Sequence, residues 1–93
     1  MFMNSAQKQV KISDTVTWRK VKDEAVILNL ETSEYYSVNP VGTLILELLS
    51  KNSSLEKISL ALAEEYGISR AEAGADSGEF IKKLSGLGLI TEK

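Results

Sequence analysis

Residues 34–49 read EYYSVNPVGTLILELL, a strand that passes straight into a helix. Glu34, Tyr35, Tyr36, Ser37 and Val38 mix aromatic and β-branched residues, the composition of a pleated, half-buried strand. Side chains alternate faces along a strand, so Tyr36 and Val38 are expected inward and Tyr35 outward. Asn39 suits an N-cap, because its side-chain oxygen can accept from an early helix N–H. Pro40 suits the first helical position, where a missing N–H costs nothing. Val41, Leu44, Ile45, Leu48 and Leu49 then recur at the spacing of a core-facing helical stripe. A strand that can lie at a sheet edge therefore leads into a buried helix, which points to a binding module rather than an enzyme.

Two further strands precede this stretch. Residues 16–21 (VTWRKV) are β-branched and aromatic, with Trp18 expected to cover a sheet face. Residues 25–30 (AVILNL) are more apolar and suit the middle of the sheet. The segments at 22–24 and 31–33 are short enough to demand an antiparallel meander, in which residues 34–38 form the third strand.

The first helix is expected over residues 40–50. Ser53 and Glu56 have capping-box spacing and open a second helix carrying Leu55, Ile58, Leu62 and Tyr66 inward, with Leu60 off that face and Gly67 as its stop. Ser69 and Glu72 repeat the spacing before a third helix with Ala73, Phe80, Leu84 and Leu87 as its core stripe. Gly86 and Gly88 end that helix, and Leu89-Ile90 folds back as an apolar tail. The expected class is α+β, a three-stranded antiparallel sheet followed by three helices (βββααα). Residues 1–14 are expected as a flexible arm and 15–93 as one domain.

Composition narrows the function. Ninety-three residues, 43% of them hydrophobic, suffice for one small core. No run approaches the roughly 18 apolar residues of a membrane span, and the first residues lack a signal-peptide core. With no cysteine and no histidine, thiol chemistry and the commonest general base and metal ligand are missing. A net charge of −2 offers no footprint for nucleic acid. No catalytic residue, metal site or cofactor is expected, and a cytoplasmic setting is.

Several segments together resemble the PqqD family, small recognition elements for the leader peptides of ribosomally made natural products. The carriers are residues 23–30 (DEAVILNL), Tyr35-Tyr36-Ser37-Val38-Asn39, Gly42, and residues 44–49 (LILELL). Further along they are the helix over 54–66, Asp76, Phe80-Ile81, Leu84 and Gly88-Leu89-Ile90. The similarity covers residues 16–91 and looks most like the stand-alone elements of lasso-peptide pathways. It implies a winged helix-turn-helix scaffold without catalytic activity. It also implies that a leader peptide adds to the third strand, pressed toward the third helix, and is delivered to a leader peptidase, cyclase or radical enzyme. The chain departs from the pattern at Ser77, where the family usually has an apolar residue, and at Gly74 and Gly78, which interrupt the helix.

The expected peptide-binding residues are thus Glu34, Tyr35, Tyr36, Ser37 and Val38 on the strand, with Gly74, Asp76, Ser77, Gly78, Phe80, Ile81 and Leu84 on the third helix. On a helical wheel Gly74, Ser77, Gly78, Ile81 and Ser85 share one side, which suggests a wall of small residues with Ile81 as its floor. Asp76 is suited to a basic or polar leader group. Lys82 and Lys83 suit an exposed helix face. A DNA-binding winged-helix protein is one alternative, opposed by Glu56, Glu64, Glu65, Glu72, Asp76 and Glu79 on the second and third helices. A small oligomerisation module is the other. The state expected is a monomer or a weak homodimer, with no membrane or nucleic-acid partner.

Overall fold

The computed structural model describes residues 10–92. The element order is β1 (Val10–Ile12), β2 (Val16–Val21), β3 (Glu24–Asn29), β4 (Tyr35–Val38), α1 (Pro40–Ser50), α2 (Leu55–Tyr66), α3 (Arg70–Gly86) and β5 (Ile90–Glu92). The expected meander is present as a sheet in the order β2-β3-β4, all antiparallel, with three helices after it. β3 lies in the middle, as its apolar sequence suggests, and β4 is an edge.

One face of this sheet builds the core. Trp18, Ile27 and Tyr36 stand in one cross-strand row, and Lys20, Ala25 and Val38 in the next. Ala25, Ile27 and Val38 are buried, and Trp18 and Tyr36 pack against the cluster they begin. Ile45, Leu46 and Leu49 of α1, Ile58 and Leu62 of α2, and Ala73 and Leu84 of α3 complete it. Lys20 Nζ donates to Glu47 Oε2 at 3.2 Å and ties β2 to α1. Among the described residues nothing covers the other sheet face, and Val21, Val26 and Tyr35 are exposed there.

The turns have identifiable causes. Lys22 takes a positive φ of 61° between β2 and β3. Asn29 is buried, and its Oδ1 accepts from the N–H groups of Glu31 (2.9 Å) and Thr32 (3.3 Å), curling the chain back toward β4. Asn39 caps α1 by accepting from Gly42 N at 2.8 Å, with Pro40 opening the helix. Ser69 caps α3, accepting from Glu72 N at 3.0 Å, and Gly67 ends α2 in the left-handed conformation at φ 63°.

Five expectations need correction. The cap of α2 is Ser54, which accepts from Lys57 N, rather than Ser53. The stripe of α1 is rotated, so that Gly42, Thr43 and Leu46 are buried while Val41, Leu44 and Leu48 are only half-buried; sheet and helices cover this helix from several sides. Tyr66 and Leu87, assigned to the core, are 42% and 41% exposed because each sits in the last turn or at the cap of its helix. The glycines do not interrupt α3, which runs unbroken through Gly74 and Gly78. Residues 10–12 are not an arm: β1 pairs antiparallel with β5, Val10 opposite Glu92 and Ile12 opposite Ile90, and Val10 and Ile90 are buried. The expected apolar tail is the β5 partner of that clasp. Ser13, also assigned to the arm, is buried and donates through Oγ to the Gly88 carbonyl at 3.0 Å, while residues 1–9 lie outside the described residues.

Candidate functional site

The parity of the ladder decides which groups of β4 are free. Asn29 N donates to Glu34 O at 2.8 Å, and hydrogen-bonded pairs alternate along an antiparallel ladder. Ile27–Tyr36 and Ala25–Val38 are therefore the bonded pairs, and the main-chain N–H and C=O of Tyr35 and Ser37 turn to the open side. On the far strand pair Leu30 N donates to Thr15 O at 2.7 Å, which directs the alternate residues of β3 toward β2 and agrees with this assignment. An added strand would thus pair with Tyr35 and Ser37. Its residues facing Tyr36 and Val38 would point to the helical side.

On that side lies a cleft of about 600 Å³ between the first turns of α1 and the middle of α3. Asn39, Val41, Gly42 and Ile45 line it from α1, and Asp76, Glu79, Phe80 and Lys83 from α3. Gly42 is what lets these parts meet. A Cβ there would stand 2.5 Å from Val38 Cγ1 and 2.9 Å from the Phe80 ring, so the strand end, α1 and α3 converge on a position that has no room for a side chain unless Val38 or Phe80 shifts. Thr43 Oγ1 donates to the Asn39 carbonyl at 2.9 Å and holds the junction between strand and helix.

At the other end of β4, Tyr36 Oη donates to Glu34 Oε1 at 3.3 Å. Partial burial raises the Tyr36 phenol above its ordinary value of 10.0, and the neighbouring Glu34 carboxylate adds to the shift, so the hydroxyl stays a donor at neutral pH. Tyr35 is 72% exposed on the opposite sheet face, as strand alternation predicts.

The expected residues fall into two groups. Glu34, Tyr35, Tyr36, Ser37 and Val38 form the edge, and Asp76 and Phe80 stand in the cleft at its end. Leu84 is buried in the core. Gly74, Ser77, Gly78 and Ile81 belong to the other flank of α3, where they line a cleft with Leu55, Ser59 and Leu60 of α2. Ser77 is 3% exposed; its hydroxyl lies 3.2 Å from Ser59 Oγ and donates to the Ala73 carbonyl at 2.9 Å. The buried serine is thus accommodated because α2 supplies a matching hydroxyl. The cleft is also lined by Asn39, Val41, Gly42, Ile45, Glu79 and Lys83, which the sequence reading did not place among the peptide-binding residues. The spacing of Asp76, Glu79, Phe80 and Lys83 at i, i+3, i+4 and i+7 marks one helix side and could have found the last two.

Among the described residues no cluster of acids could hold a metal, and no helix is long and apolar enough to cross a membrane.

Three comparisons bear on this geometry. Coenzyme PQQ synthesis protein D (PqqD) is the family that matches, over residues 24–90. No curated protein matches. Among solved structures the chain is similar to TbiB1 in complex with the TbiA(beta) leader peptide, with a TM-score of 0.83 and 34% identity over 86% of this chain and 93% of that one. It shares its fold with a lasso peptide synthetase B1 complexed with the leader peptide, at a TM-score of 0.81 and 21% identity, covering 88% of this chain and 96% of the other. With residues 24–90 accounted for by a single family model and its architecture matching TbiB1 over 86% of its length, the chain belongs to the PqqD family.

Proposed function

We propose that this protein binds the leader region of a ribosomally made precursor peptide, by strand addition to β4, and presents it to a modifying or leader-cleaving enzyme. The observation that carries this reading is the junction of an open edge with a cleft: Tyr35 and Ser37 offer unpaired main-chain groups, and Phe80 lies beyond Val38 across Gly42. Edge strands with unpaired groups are ready templates for another chain. The similarity to TbiB1, which was solved with a leader peptide, supports the choice of guest. Holding and handing over a peptide needs no reacting group, which agrees with a non-catalytic role. A cytoplasmic setting, where precursors are made, suits this role.

Magnitudes fit a carrier. Each apolar guest side chain that becomes buried contributes about 1.5–3 kcal/mol. Ordering and association of a flexible peptide take back several kcal/mol. Two or three such anchors with the main-chain bonds give affinity on the order of micromolar, strong enough to collect a peptide and weak enough to release it. A DNA-binding reading finds no basic recognition helix, since α3 presents Asp76 and Glu79 beside Lys83.

The ladder parity supplies a test. Ser37→Pro removes an outward N–H that β3 does not use, a position where an edge strand tolerates proline. Leader-peptide affinity is expected to fall about tenfold, from one lost hydrogen bond and the ring at the contact, while thermal stability holds. Titration of a lasso-precursor leader peptide, followed by amide shifts, should place the largest changes at Tyr35 and Ser37. Unaltered affinity in the proline variant, with shifts confined to other elements, would remove the reading.

A further inference from the structure

The cleft beside β4 has an order of charge along it. Asp76, Glu79 and Lys83 lie on the same side of α3 as Phe80, and all three charged side chains are exposed. Among the described residues none of them has an ion-pair partner; the ion pairs there are Lys11–Asp14 and Lys20–Glu47. Asp76 and Glu79 are one turn apart, and Lys83 follows one turn beyond Glu79. At a rise of about 1.5 Å per residue, Asp76 to Lys83 spans about 10 Å, the length of roughly three residues of an extended peptide. Phe80 stands between the two signs. The apolar part of the cleft thus has an acidic end and a basic end.

Resting on the β4 reading above, we propose that the guest is an extended peptide of polar charge order: an apolar side chain seated on Phe80, a lysine or arginine on the Asp76 side of it, and no basic residue on the Lys83 side. A cation placed between Asp76 and Glu79 meets two carboxylates that the fold leaves uncommitted. The same cation near Lys83 meets repulsion, and discrimination by repulsion is as effective as discrimination by attraction. Main-chain pairing with Tyr35 and Ser37 is blind to sequence and accepts either strand direction. The charge order is not blind: it separates a guest with its basic residue on one side of the apolar anchor from a guest with it on the other. These charges are exposed, and their contribution therefore weakens as salt rises.

A random dodecapeptide display library, selected against the full chain, tests this. Enriched peptides are expected to carry Lys or Arg on one side only of a shared apolar position. Selection against the double variant Asp76→Lys with Glu79→Lys is expected to replace those basic residues by Asp or Glu. Affinity of the peptides first selected should fall on the order of tenfold in that variant at low salt. Amide shifts of Tyr35 and Ser37 on titration with the selected peptides establish whether they occupy the β4 edge. Peptides that shift those amides but show no preference of sign, and bind the double variant equally, overturn the charge-order proposal and leave the β4 reading intact. Selected peptides that leave Tyr35 and Ser37 unshifted overturn the β4 reading, and the proposal with it.

Discussion

The two flanks of α3 are built from opposite materials. Toward α2 stand Gly74, Ser77, Gly78 and Ile81, where the Ser59 and Ser77 hydroxyls meet at 3.2 Å and also reach carbonyls one turn back. Toward α1 stand Asp76, Glu79, Phe80 and Lys83, with Phe80 reaching Val38 across Gly42 at the end of an edge strand that no second strand among the described residues pairs. The Ser59 and Ser77 hydroxyls thus satisfy each other and their own helices across the α2–α3 contact. The other flank is larger, charged and unfinished. An interior contact is recognised by completed bonding, and a contact reserved for a partner by what it leaves open.

The largest expected effect separates the flanks directly. Phe80→Ala removes the ring that lines the β4 cleft and should lower leader-peptide affinity at least tenfold, with a loss of about 2 kcal/mol in stability measured by urea denaturation. Ile81→Ala, one residue along, should cost about 1–2 kcal/mol of stability with peptide affinity retained. Equal losses of affinity in the two variants would erase the distinction.

Gly42→Ala comes next. Its Cβ would crowd Val38 and Phe80, and overpacking of this kind costs about 1–3 kcal/mol. The better helix propensity of alanine offsets about 1 kcal/mol of that. A modest net loss of stability is expected, with a larger loss of peptide affinity because Phe80 is displaced. Isothermal titration with a leader peptide beside a denaturation curve measures both.

Ser77→Ala is smaller still. It deletes the hydroxyl facing Ser59 and should destabilise by about 1 kcal/mol or less, leaving peptide affinity unchanged. Gly78→Ala should have the smallest effect and the opposite sign. A Cβ there meets nothing within 4 Å, so alanine stabilises the helix by up to about 1 kcal/mol. A drop in peptide affinity in the Gly78 variant would return that flank to the binding site.

Much of the architecture could be read from local chemistry. The Asn39-Pro40 start, the Ser69 cap and the Gly67 stop are each decided within a few residues, and all three stand as expected. Strand period places Tyr36 and Val38 on one face and Tyr35 on the other, and the expected choice of the Val38 face as the inner one holds. Ser53-Ser54 offered two equivalent caps one residue apart, and only the backbone could choose between them. The β1–β5 pairing joins residues nearly a whole chain apart, with three residues in each strand, too few for periodicity to register. A helical wheel correctly grouped Gly74, Ser77, Gly78 and Ile81 on one side of α3, but a wheel does not say which neighbour occupies which side. That information lies in the packing of α2, and it separates these four residues from Asp76 and Phe80.

The clasp of β1 and β5 has a practical result. Val10 and Ile90 border the same depression as Gly78 and Ile81, on the flank of α3 turned from β4. A dye carried at Thr91, which is exposed in that depression, would therefore report from the flank of α3 that Asp76 and Phe80 do not share. Such a label would follow occupation of the proposed edge without standing in its path.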